Sequence, residues 1–243
     1  YDELGRRADR QQSGSAITTS TDDFSYNTRS EVTASSNDIQ TATAYNPTYS
    51  FDQIGNRKTS TGIDTVTYTA NELNQYSALS ASSAVNPIHD LDGNLSNDGT
   101  WTYQWNNENR LVEADNYDRD PNADPVDLPD ANGETWISFT YDYQGRLVEK
   151  LARKYEAGAY SETTERYAYD GWNRIATFTP QVSGLSLQTS YLWGMDLSGS
   201  MQGAGGVGGL LKEGSNYPTY DANGNIMQKL DGAGATVCLL TLG

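Results

Sequence analysis

Along this chain apolar and polar residues alternate in short runs, each closed by a cluster of Asp, Asn and Gly. Asp23-Phe24-Ser25-Tyr26, Val66-Thr67-Tyr68 and Trp101-Thr102-Tyr103-Gln104-Trp105 put every second side chain in the apolar class. Trp136 to Tyr141 and Glu165 to Tyr169 follow the same rhythm. A period of two is the pattern of a half-buried strand. Tyr, Trp, Thr and Val also fit a pleated surface. Arg146 to Tyr155 carries enough long side chains to suit a helix. The turn before it fixes its register, as in the other runs, so a strand is predicted there too.

The heptapeptide Tyr141-Asp142-Tyr143-Gln144-Gly145-Arg146-Leu147 shows how the runs are joined. Tyr141 ends a strand. Asp142 can accept a backbone N–H two residues on and open a turn. Gly145 takes positive φ without a Cβ penalty, as a type I turn followed by a left-handed bulge residue requires. Arg146 and Leu147 restart the alternation.

The unit recurs from Tyr1, Phe51, His89, Trp105, Tyr169 and Tyr220, with degenerate copies from Tyr26 and Ala70. The copies from Trp105 and Tyr169 place Asn109 and Asn173 where Gly145 stands, and Asn tolerates the left-handed region next best. Tyr220 to Ile226 is the last clean copy. Asn97-Asp98-Gly99 adds a short hairpin turn. The chain is therefore predicted to be all-β, an array of antiparallel hairpins over 1–243 coiled into a curved sheet.

Three stretches depart from the rhythm. Residues 115–134 are acidic and proline-bearing, and read as a loop inserted between two strands. Residues 191–211, from Tyr191-Leu192-Trp193-Gly194 to Leu211, are Gly-rich with apolar flanks. A linker and a backbone packed against neighbouring strands both suit that composition. Residues 236–243 read as a truncated or divergent end.

Composition narrows the function classes. The chain has 243 residues, 16 Lys plus Arg and 32 Asp plus Glu, for a net charge of −16. That argues against nucleic acid and against an anionic membrane surface as partners. No run approaches the roughly 18 apolar residues of a spanning helix. Tyr (17) and Trp (5) are plentiful, and mean hydropathy is −0.69, low for a globular core. Cys238 stands alone, so no internal disulfide can form. The chain begins inside a repeat without Met, and it is expected to be part of a larger protein.

The recurring Tyr-Asp-x-x-Gly-(Arg/Asn)-(Leu/Ile) resembles the YD repeat of rearrangement-hotspot (RHS) proteins. Tyr191 to Leu211 is similar to the Gly-rich segment late in bacterial members. The resemblance covers nearly the whole chain and implies a hollow β-shell built from hairpins. In the family such shells often enclose a C-terminal toxin, as in polymorphic toxins and insecticidal toxin complexes, and related repeats occur in teneurins. It further implies a secreted or cell-surface bacterial location. The partners it implies are the rest of the shell and an enclosed C-terminal toxin. The family's self-cleavage motif and variable toxin do not occur in this sequence, so neither activity carries over.

Asp118-Arg119-Asp120-Pro121-Asn122-Ala123-Asp124 places oxygens at alternate positions, as a calcium loop does, with Asp127 or Asp130 as helpers. Ala123 stands where such a loop has Gly, and Pro129 where it has Glu, which favours a solvated acidic loop. His89, the sole histidine, occupies the aromatic slot of its repeat and is read as filling it. Cys238 is read as inert. Asp2, Asp52, Asp90, Asp142, Asp170 and Asp221 could suggest a glycosidase pair, yet they recur because turns need them. No catalytic, cofactor or metal residue is assigned. Exposed aromatics could stack on sugars, but most are expected to form cross-strand ladders. The leading expectation is a structural shell segment and not an enzyme. An adhesion module binding carbohydrate or another cell surface stands second, and a glycan-acting enzyme third.

Overall fold

A computed structural model describes residues 1–14, 17–38, 46–62, 64–118 and 128–239. Every regular element among them is a strand, and the ladders between successive strands are antiparallel. The chain divides into two compact units, Tyr1–Thr102 and Tyr103–Gly243.

In the first unit, β1 (Asp9–Gly14), β2 (Ile17–Tyr26) and β3 (Val32–Asn37) form one sheet in chain order. A second sheet holds β4 (Tyr49–Phe51), β5 (Arg57–Ser60), β6 (Val66–Ala70) and β7 (Tyr76–Ser80). The short hairpin of β8 (Ile88–His89) and β9 (Leu95–Asn97) follows, and Asn97 pairs with Thr102 at the head of β10 (Thr102–Trp105).

In the second unit, β11 (Leu111–Asp115), β12 (Thr135–Tyr141), β13 (Leu147–Glu156), β14 (Ala159–Asp170), β15 (Asn173–Gln181), β16 (Gly184–Trp193) and β17 (Leu210–Glu213) pair in sequence. A smaller sheet holds β18 (Tyr217–Tyr220), β19 (Ile226–Leu230) and β20 (Thr236–Leu239). The stretch from Arg146 that could have suited a helix is strand β13. β11 and β12 pair directly, Glu113 with Ser138 and Asp115 with Trp136, on either side of the acidic stretch.

The turns explain the pairing. The amide of Asp142 donates to the carbonyl of Arg146 (3.0 Å), and the amide of Gly145 donates to the carbonyl of Asp142 (2.9 Å). Gly145 has φ +84°. Register slips by one residue at this point, so that Tyr141 faces Leu147. This is a type I turn closed by a left-handed bulge residue. The same six-residue offset joins Tyr26 to Val32, Phe51 to Arg57, Ala70 to Tyr76, His89 to Leu95 and Tyr220 to Ile226. The two copies read as degenerate form complete turns, with Ser30 at φ 63° and Asn74 at φ 61° in the glycine place.

One copy differs from expectation. In Tyr169 to Ile175 the left-handed residue is Gly171 (φ 57°), not Asn173. Asp170 pairs with Asn173 across a two-residue turn of Gly171 and Trp172. Glycine at the first central position favours that tighter hairpin, which draws Asn173 into β15, where it is buried. A further copy was not read from the sequence. Asp231 donates to Ala235 (2.9 Å), Gly234 donates to Asp231 (3.0 Å), and Leu230 faces Thr236.

The buried apolar side chains among the described residues are Pro47, Ala114, Pro129, Trp136, Ala152 and Ala176. Ladders and cross-strand side-chain pairs therefore carry much of the cohesion. Trp136, Arg153 and Glu162 share one face in register. Arg153 stacks 4.6 Å from the Trp136 ring and donates to Glu162 at 2.8 Å. Arg166 and Glu149, also cross-strand partners, pair at 2.6 Å.

A side chain at Gly145 would be strained by its φ, and its Cβ would lie 2.8 Å from the Arg110 guanidinium. Gly145→Val is expected to lower stability by about 1–2 kcal/mol, read from the denaturant midpoint. Gly145→Asn should cost less, because Asn109 holds the equivalent place at φ 56°. Equal midpoints for wild type and Gly145→Val would refute the turn assignment.

Candidate functional site

The repeated turn carboxylates are occupied by the turns themselves. Asp142 Oδ1 accepts the amides of Gln144 and Arg146, both at 2.9 Å, and Oδ2 accepts Arg146 Nε at 2.8 Å. Asp2 holds Leu4 and Arg6 in the same way, and Asp52, Asp90 and Asp221 use Asn at the sixth place of the heptapeptide instead of Arg. Burial around Asp2, Asp52 and Asp142 works to raise their pKa. The hydrogen bonds of the turn outweigh it, and each lies below the ordinary carboxylate value. At Asp90 the side-chain bond from Asn94 is the largest contribution to the same lowering. Asp170 belongs to the tighter Gly171 turn, not to this set.

Aromatic residues at the head of one turn reach back to the turn before. Tyr26, Tyr141 and Tyr169 donate from Oη to the carbonyls of Arg7, Leu111 and Leu147, at 2.7–2.8 Å. Trp193 Nε1 donates to the Arg174 carbonyl at 2.8 Å, and Tyr220 Oη to that of Leu210 at 2.6 Å. Burial raises the phenol pKa of Tyr141, Tyr169 and Tyr220, so these groups stay protonated and donating.

Arginines reach forward. Arg6 stacks 4.6 Å from the Tyr26 ring and donates to the Asn27 carbonyl at 3.0 Å. Arg146 stacks 5.2 Å from Tyr169 and donates to the Gly171 carbonyl at 2.5 Å. Arg110 lies 5.9 Å from the Tyr141 ring, and Arg29 donates to the carbonyls of Asp52 and Gln53. Tyr68 and Tyr76 do meet ring to ring, with centroids 5.2 Å apart. Among the described residues, guanidinium groups also take the ring faces of Tyr26, Tyr49, Tyr169 and Tyr191. A cation above a ring gains about 0.5–2 kcal/mol, and the bonded turn aspartate holds Arg6 and Arg146 in place for it.

The Gly-rich segment is packed backbone. Asp196 is buried, and its amide donates to the Ser200 carbonyl at 2.7 Å, as the aspartate amide does in the other turns. Its Oδ1 accepts the Ser198 amide and hydroxyl (2.9 and 2.5 Å), and its Oδ2 accepts the amides of Ala204 and Gly206 (2.6 and 3.1 Å). A Cβ at Gly206 would lie 2.9 Å from Asn173 Oδ1, and one at Gly209 would lie 3.2 Å from the Gly194 carbonyl. The Ser198 hydroxyl leads the causes that lower the Asp196 pKa to about 2, with the backbone amides adding to it.

His89 stands at the head of its turn, facing Leu95, half-buried. It lines an open cleft of about 720 Å³ between the turns at 71–75 and 89–93, walled by Leu73, Gln75, Ile88 and Leu91. Leu91 and Leu73 are 107% and 76% exposed there. Tyr143 and Trp172, at the tips of two successive turns, are 90% and 63% exposed. Cys238 is an exposed free thiol in β20, opposite Lys229. Most of the calcium-like stretch, Arg119 to Asp127, lies outside the described residues. Asp118 is exposed, and the described end is closed by Glu134, whose Oε2 accepts the amides of Asp130 and Ala131. Among the described residues no group of three His, Cys, Asp or Glu could hold a metal ion, and no helix is long and apolar enough to cross a membrane.

No protein-family model matches this chain, and no curated protein does. Among solved structures it is similar to a chain of the Photorhabdus luminescens Tc holotoxin pore, at 11% identity over 90% of this chain and a TM-score of 0.38. It is also similar to TcdB2-TccC3, at 12% identity over 93% of this chain and a TM-score of 0.37. TcdB2-TccC3 without its hypervariable C-terminal region gives 12%, 93% and 0.36. The chain spans 14%, 12% and 11% of the length of those chains.

The depressed pKa of Asp196 fixes a pH dependence. Its contribution is complete above the ordinary value of 3.8 and is lost as pH falls toward about 2. Asp196→Asn keeps the shape but cannot accept both amides at Oδ2. The melting-temperature gap between wild type and Asp196→Asn should be constant near neutral pH and should narrow through that acid window. A gap unchanged at pH of about 2 would contradict the assignment.

Proposed function

We propose that this chain is a stretch of repeat wall in a larger secreted or cell-surface bacterial protein, and that the wall encloses or presents a C-terminal effector. The observation that supports a wall is the two-way stapling of successive turns, backward by Tyr26, Tyr141 and Tyr169 and forward by Arg6 and Arg146. An isolated hairpin is marginal in water, and here each borrows polar partners from its neighbour. Bulge residues add local twist, which favours a sheet that curls. The resemblance of the motif to RHS proteins supports the enclosed effector and the bacterial surface. A net charge of −16 suits a basic guest. On this reading the turn aspartates are structural, and the chain is not an enzyme.

A second reading rests on Tyr143 and Trp172. Their exposed rings could stack on the apolar faces of sugars, which would make this part of an adhesion module.

Limited proteolysis of the full-length product separates the two. The wall reading expects a C-terminal region that resists protease until Arg146→Ala loosens the array. A C-terminal region cut equally fast with and without that change would overturn enclosure. Glycan binding lost on Tyr143→Ala and Trp172→Ala, at unchanged stability, would favour adhesion.

A further inference from the structure

We propose that the cleft beside His89 is a receptor for an arginine side chain presented by a partner polypeptide.

Between successive turns, this chain repeatedly places an arginine. Arg6 lies against Tyr26 and the Asn27 carbonyl. Arg29 lies against the carbonyls of Asp52 and Gln53. Arg146 lies against Tyr169 and the Gly171 carbonyl. Arg110 packs on the Tyr141 ring and against Gly145. The recurring receptor is a ring at the first place of the following turn and carbonyls at its second and third places.

The turn beginning at His89 keeps the receptor, and the turn before it, beginning at Ala70, lacks the arginine. Gln75 stands where Arg6 and Arg146 stand in their turns, and Asn71 stands where their aspartate stands. The two amides bond each other, Asn71 Nδ2 to Gln75 Oε1 at 2.9 Å. The Gln75 amide meets the next turn only at Gly93, where a Cβ would lie 3.3 Å from its Nε2, and a cleft of about 720 Å³ stays open beside it. His89, Asp90 and Leu91, the first, second and third places of the receptor, line it.

The rest of the lining suits the same guest. Leu73, Ile88 and Leu91 are exposed and apolar, a surface for the methylene stem of an arginine. Asp90 and Asp92 line the cleft, and no Lys or Arg does. Lysine fits less well, because its compact ammonium neither stacks flat on a ring nor forks across two carbonyls.

The test is an NMR titration of the whole chain with N-acetyl-arginine amide, using N-acetyl-lysine amide as the control. Saturable shifts at His89 and Leu91 are expected, with a dissociation constant on the order of 1 mM, and weaker ones from lysine. Gln75→Arg, alone or with Asn71→Asp, should fill the slot from within. It should raise the melting temperature by about 2 °C and abolish the arginine-induced shifts. Leu91→Ala, at a fully exposed site, should weaken binding without unfolding the chain. No saturable shift, an equal response to lysine, or undiminished binding by Gln75→Arg would each overturn the proposal. Saturation by a methyl glycoside instead of arginine would overturn it in favour of a sugar site.

Discussion

An aspartate that accepts two amides of its own turn, followed three residues later by a backbone held at positive φ, is the constraint on which this chain is built. The carboxylate satisfies donors that the tight bend would leave without partners, and glycine or asparagine takes the φ that other side chains resist. The bulge then slips the ladder by one residue and so decides which face each following side chain meets. At Asp142 and Gly145 the two requirements are met within four residues. Of the longest ladders, β12–β13 and β14–β15 grow outward from that turn and the one at Gly171.

The polar chemistry follows from this geometry. A chain with twice as many acids as bases looks rich in catalytic carboxylates, but Asp2, Asp52, Asp90 and Asp142 are bonded by their own turns. Arginines are scarce, and the ones at 6, 29, 110 and 146 are placed where one guanidinium meets a ring or carbonyl of the next repeat. With few buried apolar side chains, such contacts supply much of what a thicker core supplies elsewhere. Asp196 extends the device. It closes one turn with its own backbone and gathers a glycine loop with its second oxygen, so that Gly206 and Gly209 pack as rigid backbone.

Much of this was legible in the residue order. Alternation marked the strands, and Asp142 with Gly145 marked the turn. What escaped has a physical reason in each case. The turn at Asp231 hides because Leu230 replaces the aromatic, and the turn itself needs only the aspartate and glycine. In Tyr169 to Ile175 two residues could host positive φ, and the glycine nearer the bend prevailed over Asn173. The pairing of Arg6 with Tyr26 depends on how hairpins stack, which no local pattern encodes. Besides Ser198, the partners of Asp196 are the backbone amides of Ala204 and Gly206, and amides leave no trace in residue identity. The cleft at His89 shows only as a missing arginine at position 75.

The arginine links also have a mechanical side. Each spans one turn and no further, from Arg6 to Asn27 or from Arg146 to Gly171. Under tension along the chain, load would pass from one hairpin to the next through a guanidinium, a tyrosine hydroxyl and the strand ladder together, and these joints would rupture in series. Extension would then proceed in discrete steps, each releasing one hairpin and leaving those beyond it folded.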